Sequence, residues 1–137
     1  MRQVADQLGL PFGNREKIYN SRLAQELAKW AEKNGCGEQY HRAVFKAYFV
    51  ENKNIAEAAT LEAIGEQLGL DKTEIRKAIT SRTFRTAVDE DWQRARRFGI
   101  NAVPTFVLNE SHLVGAQPYD KLTQFLDYHQ VPRRMSV

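Results

Sequence analysis

Apolar residues recur every three or four positions along most of this chain, which is the spacing of the buried face of an amphipathic helix. The pattern predicts five successive helices, at about 21–33, 38–51, 61–68, 71–79 and 84–98. Residues suited to helix caps and stops stand at several of these bounds, namely Ser21, Gly35, Gly69, Asp71 and Gly99. A last apolar pattern after Pro118 predicts one more helix, because proline is well placed in a first helical turn.

The pattern changes between the fifth and the last of these helices. Residues 105–108 form a short β-prone run, and Pro104 stands at its first position, where a strand tolerates a missing N–H. A second short run, 112–114, follows the turn residues 109–111, and Gly115 precedes the last helix. The predicted order is therefore helices, then strand, tight turn, strand and helix.

The two ends of the chain carry weaker signals. Residues 1–10 suit a short helix or a connecting segment, since they contain only three scattered apolar residues besides alanine and methionine. Residues 132–137 are expected to fray.

Composition narrows the class of protein. The 137 residues suit one domain or a small domain with a helical insertion, and 42% hydrophobic with 27% charged residues is ordinary for a soluble protein. No apolar run approaches the roughly 18 residues that a membrane span requires, and the first residues lack the apolar segment of a signal peptide. We therefore expect a cytoplasmic protein that does not bind a membrane. The net charge of +3 is interleaved along the helices and decides little about partners.

The residues capable of site chemistry are few. Cys36 is the single cysteine, so one chain cannot contain a Cys-x-x-Cys motif, and its position in an inter-helix turn suggests an ordinary free thiol. His41, His112 and His129 lie in three different elements without metal-ligand spacing. We predict no catalytic residue, no metal site and no cofactor within this chain.

One alternative comes from residues 61–79, which read like a helix-turn-helix with a glycine turn. The side chains that would then face DNA are Lys72, Thr73, Arg76 and Lys77. Acidic residues on the same unit oppose this interpretation, because phosphate binding needs a basic face; they are Glu62, Glu66 and Glu74. We therefore predict an ordinary helical hairpin and no nucleic acid partner.

A family resemblance rests on several stretches of this sequence. Residues 99–109, Gly-Ile-Asn-Ala-Val-Pro-Thr-Phe-Val-Leu-Asn, followed by a hairpin, Gly-Ala-Gln and a helix, resemble the carboxyl end of the DsbA-like thiol–disulfide oxidoreductases. In that family this proline is cis. Upstream, the stretches that look like the family's helical insertion are 9–13, 19–24 and 47–50. They are similar to the branch that includes the polyketide-biosynthesis dithiol isomerases.

The resemblance implies an α/β fold class, an incomplete thioredoxin-like fold in which a C-terminal β-β-α part carries a large all-helical insertion domain. Residues 1–98 would form the helical DsbA-like insertion region with its connecting segments, and 99–137 the C-terminal hairpin and helix. In the family a strand and a helix carrying Cys-x-x-Cys come first, whereas this sequence opens without them. We therefore expect a truncated or fragmentary member that is inactive alone.

The resemblance also implies a substrate-binding site at Val103 and Pro104. In the family the residue before this proline offers its backbone to an extended substrate, and by matching positions that residue is Val103. Either an enzyme fragment or a non-catalytic peptide-binding or assembly module would use this edge. The partner would be an extended polypeptide or the missing N-terminal half.

The same resemblance predicts assembly. In thioredoxin-like folds the first strand lies beside the strand that follows the proline, so its absence leaves residues 105–108 as an unpaired apolar edge. A two-stranded hairpin is also marginal alone. We therefore expect a homodimer, and replacing Phe106 or Val107 with lysine should break it.

Overall fold

The structure is a computed structural model that describes residues 2–14 and 16–132. Its helices are α1 Arg2–Gln7, α2 Arg22–Lys33, α3 Gly37–Phe49, α4 Ala58–Gln67, α5 Lys72–Ser81, α6 Arg85–Arg97 and α7 Tyr119–Tyr128, and its strands are β1 Thr105–Leu108 and β2 Ser111–Val114. The chain divides into two compact units, Met1–Asp91 and Trp92–Val137. The predicted assignment of 1–98 and 99–137 to an insertion and a C-terminal part stays a prediction.

Helices α2 to α5 pack together into the core of the first unit. Helix α2 presents three alanines, Ala24, Ala28 and Ala31, on its buried face, and such small side chains allow neighbouring helices to approach closely. Larger side chains fill the space between the helices. Those with the least exposure are Tyr40, Leu61 and Ile75. The apolar residues that recur at helical spacing in the sequence are thus the residues buried in this core.

The loop after α1 is attached to the end of α3. The Gly13 N–H donates to the Phe49 carbonyl at 2.8 Å, and the Phe12 and Phe49 rings lie 6.0 Å apart between centroids. A Cβ atom at Gly13 would lie 2.5 Å from the Val50 carbonyl oxygen, closer than van der Waals contact permits. Glycine is therefore required where this loop crosses the helix end.

Several local predictions are confirmed. The Asp71 side chain accepts a hydrogen bond from the Glu74 N–H at 2.9 Å, the N-cap contact that the sequence suggested for α5. Gly99 follows α6 with a φ of +67°, the left-handed conformation that commonly ends a helix. The predicted strand at residues 105–108 is β1 with the same bounds, and Pro118 is the N-cap of α7.

Several boundaries differ from the predictions. Helix α3 ends at Phe49 instead of 51, and α4 starts at Ala58, three residues before the first periodic leucine, because alanine continues a helix without adding to an apolar stripe. Strand β2 begins at Ser111, so the turn has two residues and not three. Asn109 takes the left-handed conformation there, with a φ of 53°. The predicted fraying concerns 132–137, of which 133–137 lie outside the described residues.

The second unit contains the hairpin and α7. Strands β1 and β2 are antiparallel, with Thr105 opposite Val114 and Leu108 opposite Ser111. None of the residues of α7 is fully buried. Among the described residues, no helix is long and apolar enough to cross a membrane. Most apolar side chains of the hairpin and α7 are half-buried, and Phe106 and Leu126 are exposed.

Candidate functional site

The predicted substrate-binding segment lies immediately before β1. The peptide bond between Val103 and Pro104 is cis, and Val103 is 89% exposed. The segment is attached on both sides, because the Gly115 N–H donates to the Pro104 carbonyl at 2.7 Å and the Thr105 hydroxyl donates to the Ala102 carbonyl at 2.7 Å. Val103 is thus an exposed residue in a segment that its neighbours hold in place.

The pairing of β1 with β2 leaves the other edge of β1 unpaired within the described residues. The hydrogen bond from Gly115 shows that the Pro104 carbonyl points toward β2, and backbone groups alternate along a strand. Phe106 and Leu108 therefore direct their N–H and C=O groups toward β2, whereas Thr105 and Val107 direct theirs away. The backbone N–H and C=O groups of Thr105 and Val107 are thus directed to the side on which another extended segment could pair with β1.

An open apolar groove of about 840 Å³ lies beside this edge, between β1 and α7. Side chains from both elements line it, chiefly Phe106, Val107, Leu108, Leu122, Phe125 and Leu126. Phe106 is 40% exposed and Leu126 43%, although such side chains are usually buried. The sequence predicted the apolar edge but not the α7 wall of the groove, because the helical spacing of 122, 125 and 126 does not say which element faces them.

Cys36 is the N-cap residue of α3, half-buried, and its thiol donates to the Ala31 carbonyl at 3.4 Å. The three histidines have separate neighbours. His41 lies 3.3 Å from a Glu32 carboxylate oxygen, and His112 Nε2 lies 2.6 Å from the Phe98 carbonyl oxygen. The His129 ring packs against the Phe125 ring, with 4.9 Å between centroids. In the part of the chain that the structure describes, no three His, Cys, Asp or Glu residues are grouped to hold a metal ion.

The helix-turn-helix candidate consists of α4 and α5, and its basic residues have acidic partners. Arg76 binds Glu62 at 2.9 Å, and Lys77 lies 3.8 Å from Glu74. Lys72 likewise pairs with Glu66. Because the cations are already balanced by carboxylates on the same unit, this surface offers little net charge to phosphates. The absence of a nucleic acid partner stays a prediction.

A buried ionic cluster was not foreseen from the sequence. Glu26 on α2 is only 4% exposed, and its carboxylate accepts hydrogen bonds from Arg22 Nε at 2.8 Å and from both Nε and Nη2 of Arg82, the latter at 2.8 Å. Arg22 also donates to Asp89 at 2.6 Å and to the Arg85 carbonyl at 2.9 Å. The cluster therefore joins α2 to the residue after α5 and to α6.

The charges in this cluster stabilise one another. The bidentate hydrogen bonds from Arg82 lower the pKa of Glu26, and burial opposes this shift only in part. The same contact raises the pKa of Arg82. Arg22 and Glu26 stand four residues apart, so that pair was visible in the sequence. Arg82 lies 56 residues further along, and no local signal indicated it.

Comparison with known proteins identifies relatives over most of this chain. A family model described as a DSBA-like thioredoxin domain matches residues 1–127. An uncharacterized protein, YwbO, of Bacillus subtilis (strain 168) is 31% identical over 123 residues, which are 85% of this chain and 60% of YwbO.

Solved structures resemble the chain in fold. A probable DsbA oxidoreductase, SCO1869, from Streptomyces coelicolor superposes with a TM-score of 0.78 at 23% identity, over 97% of this chain and 59% of its own. The cytosolic disulfide reductase DsbM from Pseudomonas aeruginosa, determined with GSH, gives 0.64 at 24% identity, over 94% and 72%. The chain thus spans about 60% of the length of YwbO and SCO1869.

Proposed function

This chain belongs to the DSBA-like thioredoxin domain family, and we propose that it supplies the polypeptide-binding part of a thiol–disulfide oxidoreductase. The observation that carries the proposal is the position of Val103, which is 89% exposed and stands directly before β1. By its sequence motif, Val103-Pro104 occupies the family position at which backbone groups receive an extended substrate. The substrate class is a polypeptide with a cysteine or disulfide, bound in extended conformation.

The chemistry of disulfide exchange defines what the chain would need for activity. A thiolate attacks a disulfide sulfur, and a second thiol resolves the resulting mixed disulfide. These 137 residues contain one cysteine, and Cys36 does not occupy the family's catalytic position. The cysteine pair would therefore come from sequence beyond these residues or from another chain. In either case the Val103 segment is proposed to bind and orient the substrate.

Backbone recognition at Val103 gives a sharp test. We expect Val103→Pro, which removes the N–H, to weaken binding of reduced and alkylated insulin B chain by roughly tenfold, since one hydrogen bond is lost. Val103→Ala keeps the backbone and should bind like the unchanged protein, because the side chain is exposed. Fluorescence anisotropy of the labelled peptide measures both, with circular dichroism as the folding control. Equal binding by all three proteins would contradict the proposal.

The purified chain by itself is expected to lack dithiol activity. Insulin in the presence of dithiothreitol should precipitate at the uncatalysed rate, because one cysteine cannot both attack and resolve a disulfide. Turbidity at 650 nm is the usual measurement, and Cys36→Ser is the matched variant. Faster precipitation that Cys36→Ser abolishes would show that the chain carries a catalytic thiol after all.

A non-catalytic binding or assembly module is the second candidate, because the exposed Val103 segment could bind an extended chain without any thiol chemistry. Both functions use the edge at Val103, so binding data alone do not separate them. The coding sequence upstream of Met1 does: an in-frame strand and helix with Cys-x-x-Cys would favour the enzyme. A cytoplasmic location remains part of this proposal.

A further inference from the structure

Helix α6 is attached to the other helices of the first unit mainly by polar contacts. Helices α2 to α5 pack closely against one another, whereas α6, all of whose residues the structure describes, is not among these closely packed pairs. Val88, at 2% exposure, is the single buried residue of α6. One buried valine supplies little of the apolar contact that normally holds an amphipathic helix to a core. The position of the first half of α6, residues 85–91, therefore depends on other contacts.

Two ion pairs join this half of α6 to α2. Arg22 Nη2 donates to Asp89 Oδ1 at 2.6 Å and to the Arg85 carbonyl at 2.9 Å, and Lys29 Nζ lies 2.8 Å from Asp91 Oδ2. Because the two cations are about two helical turns apart, they lie on the same face of α2 and hold α6 at two points. The side chains of Asp89 and Asp91 are 44% and 54% exposed, so dissolved salt screens both pairs.

A cavity between α6, α2 and α3 shows that the packing here is incomplete. It has a volume of about 190 Å³, and the residues that line it include Lys29 and Glu32 of α2, His41 of α3, and Val88 and Asp91 of α6. Protein interiors are normally close-packed, whereas a space of this size with charged walls admits water. Water therefore has access to the contact between α6 and α2 without any opening of the apolar core.

We propose that the first half of α6 is a strap that responds to ionic strength: it detaches from α2 when salt screens the two ion pairs, while α2 to α5 stay folded. Proteins open locally where apolar contacts are few, and a helix of 13 residues is marginal once it is separated from its neighbours. A detached α6 therefore loses its helical hydrogen bonds. Every contact of the strap joins residues between 22 and 91, whereas the proposed polypeptide site is Val103, so the inference does not depend on the proposed function.

Amide hydrogen exchange of the unchanged chain, followed by NMR, tests the detachment. When NaCl rises from about 0.05 M to about 1 M, the amides of residues 88–91 should exchange about three- to tenfold faster, because the two ion pairs are screened. The core amides of Leu27, Tyr40 and Ile64 should change by less than about twofold, since their helices are held by apolar contacts that salt does not weaken. Equally slow exchange of both groups of amides at both salt concentrations would overturn the proposal.

Substitution of the two aspartates tests whether the ion pairs cause the salt dependence. The double variant Asp89→Asn, Asp91→Asn should exchange at low salt as fast as the unchanged chain does at high salt, and added salt should then have little effect. Glu90→Gln is the matched control, because Glu90 is an exposed carboxylate between the two aspartates on the same helix and belongs to neither pair. It should keep the full salt dependence.

The outcomes of the variant experiment are distinct. Loss of the salt dependence in the double variant alone, with the core amides still protected, would support the strap. Equal loss in Glu90→Gln would overturn it, because the effect would then come from the general charge of α6 and not from the two pairs. If the double variant failed to fold, the salt series on the unchanged chain would decide by itself, since it needs no substitution.

Discussion

Replacing Glu26 with glutamine is expected to lower the free energy of unfolding by about 2–3 kcal/mol, since removing one partner of a buried ion pair leaves the others without their counter-charge. Glu26 is 4% exposed and is bound by both Arg22 and Arg82. The expected loss is below the upper end for buried pairs because the Arg82 side chain is 44% exposed and can be hydrated. Urea denaturation followed by far-UV circular dichroism measures this.

An exposed pair provides the control. Glu38 and Arg42 form an ion pair of the same i, i+4 spacing at 2.6 Å, but their side chains are 75% and 80% exposed. Glu38→Gln should therefore change the free energy of unfolding by at most about 0.5 kcal/mol. If Glu26→Gln and Glu38→Gln had equal effects, burial of the cluster would not stabilise the fold.

The same cluster predicts a pH dependence. The pKa of Glu26 is lowered in the folded protein from its ordinary value of 4.5, first by the hydrogen bonds from Arg82. The stability that its carboxylate contributes is thus fully present above about pH 4.5 and is lost as the pH falls through the lowered pKa. The difference in stability between the unchanged protein and Glu26→Gln should be constant from pH 5.5 to 7 and shrink below about pH 4.5. A difference that grew on acidification would contradict this assignment.

The second large effect concerns the core. Leu61→Ala is expected to destabilise the protein by about 3 kcal/mol, because the removed atoms lose their burial and the packed helices cannot close the cavity completely. Leu61 is fully buried in α4. Leu8→Ala is the matched substitution at a leucine that is 66% exposed, and it should change stability by less than about 0.5 kcal/mol. Chemical denaturation of both variants gives the comparison.

This core prediction also bears on the helix-turn-helix alternative. Leu61 and Ile75 hold α4 and α5 in the core of the first unit, and the cations of that pair of helices are bound by glutamates. These contacts support the prediction of an ordinary helical hairpin. An equal, small effect of Leu61→Ala and Leu8→Ala would show that α4 does not contribute to the core as described.

The sequence by itself determined the local structure. The capping contact at Asp71, the helix end at Gly99 and the strand at Thr105–Leu108 depend on residues within a few positions of one another, so their signals are complete in short windows of sequence. Resemblance of the motif around Val103 indicated the family, which the comparison over residues 1–127 shows. Boundaries such as the start of α4 at Ala58 were less accurate, because alanine lengthens a helix without an apolar signal.

Only the tertiary structure decided which distant residues meet. Glu26 and Arg82 are 56 positions apart, and their pairing depends on how α2 packs against α5. The groove beside β1 likewise depends on where α7 lies, although the apolar faces of both elements are plain in the sequence. The physical reason is that periodicity and capping report a residue's burial and its near neighbours, whereas partners across the fold are selected by packing among several helices and strands at once.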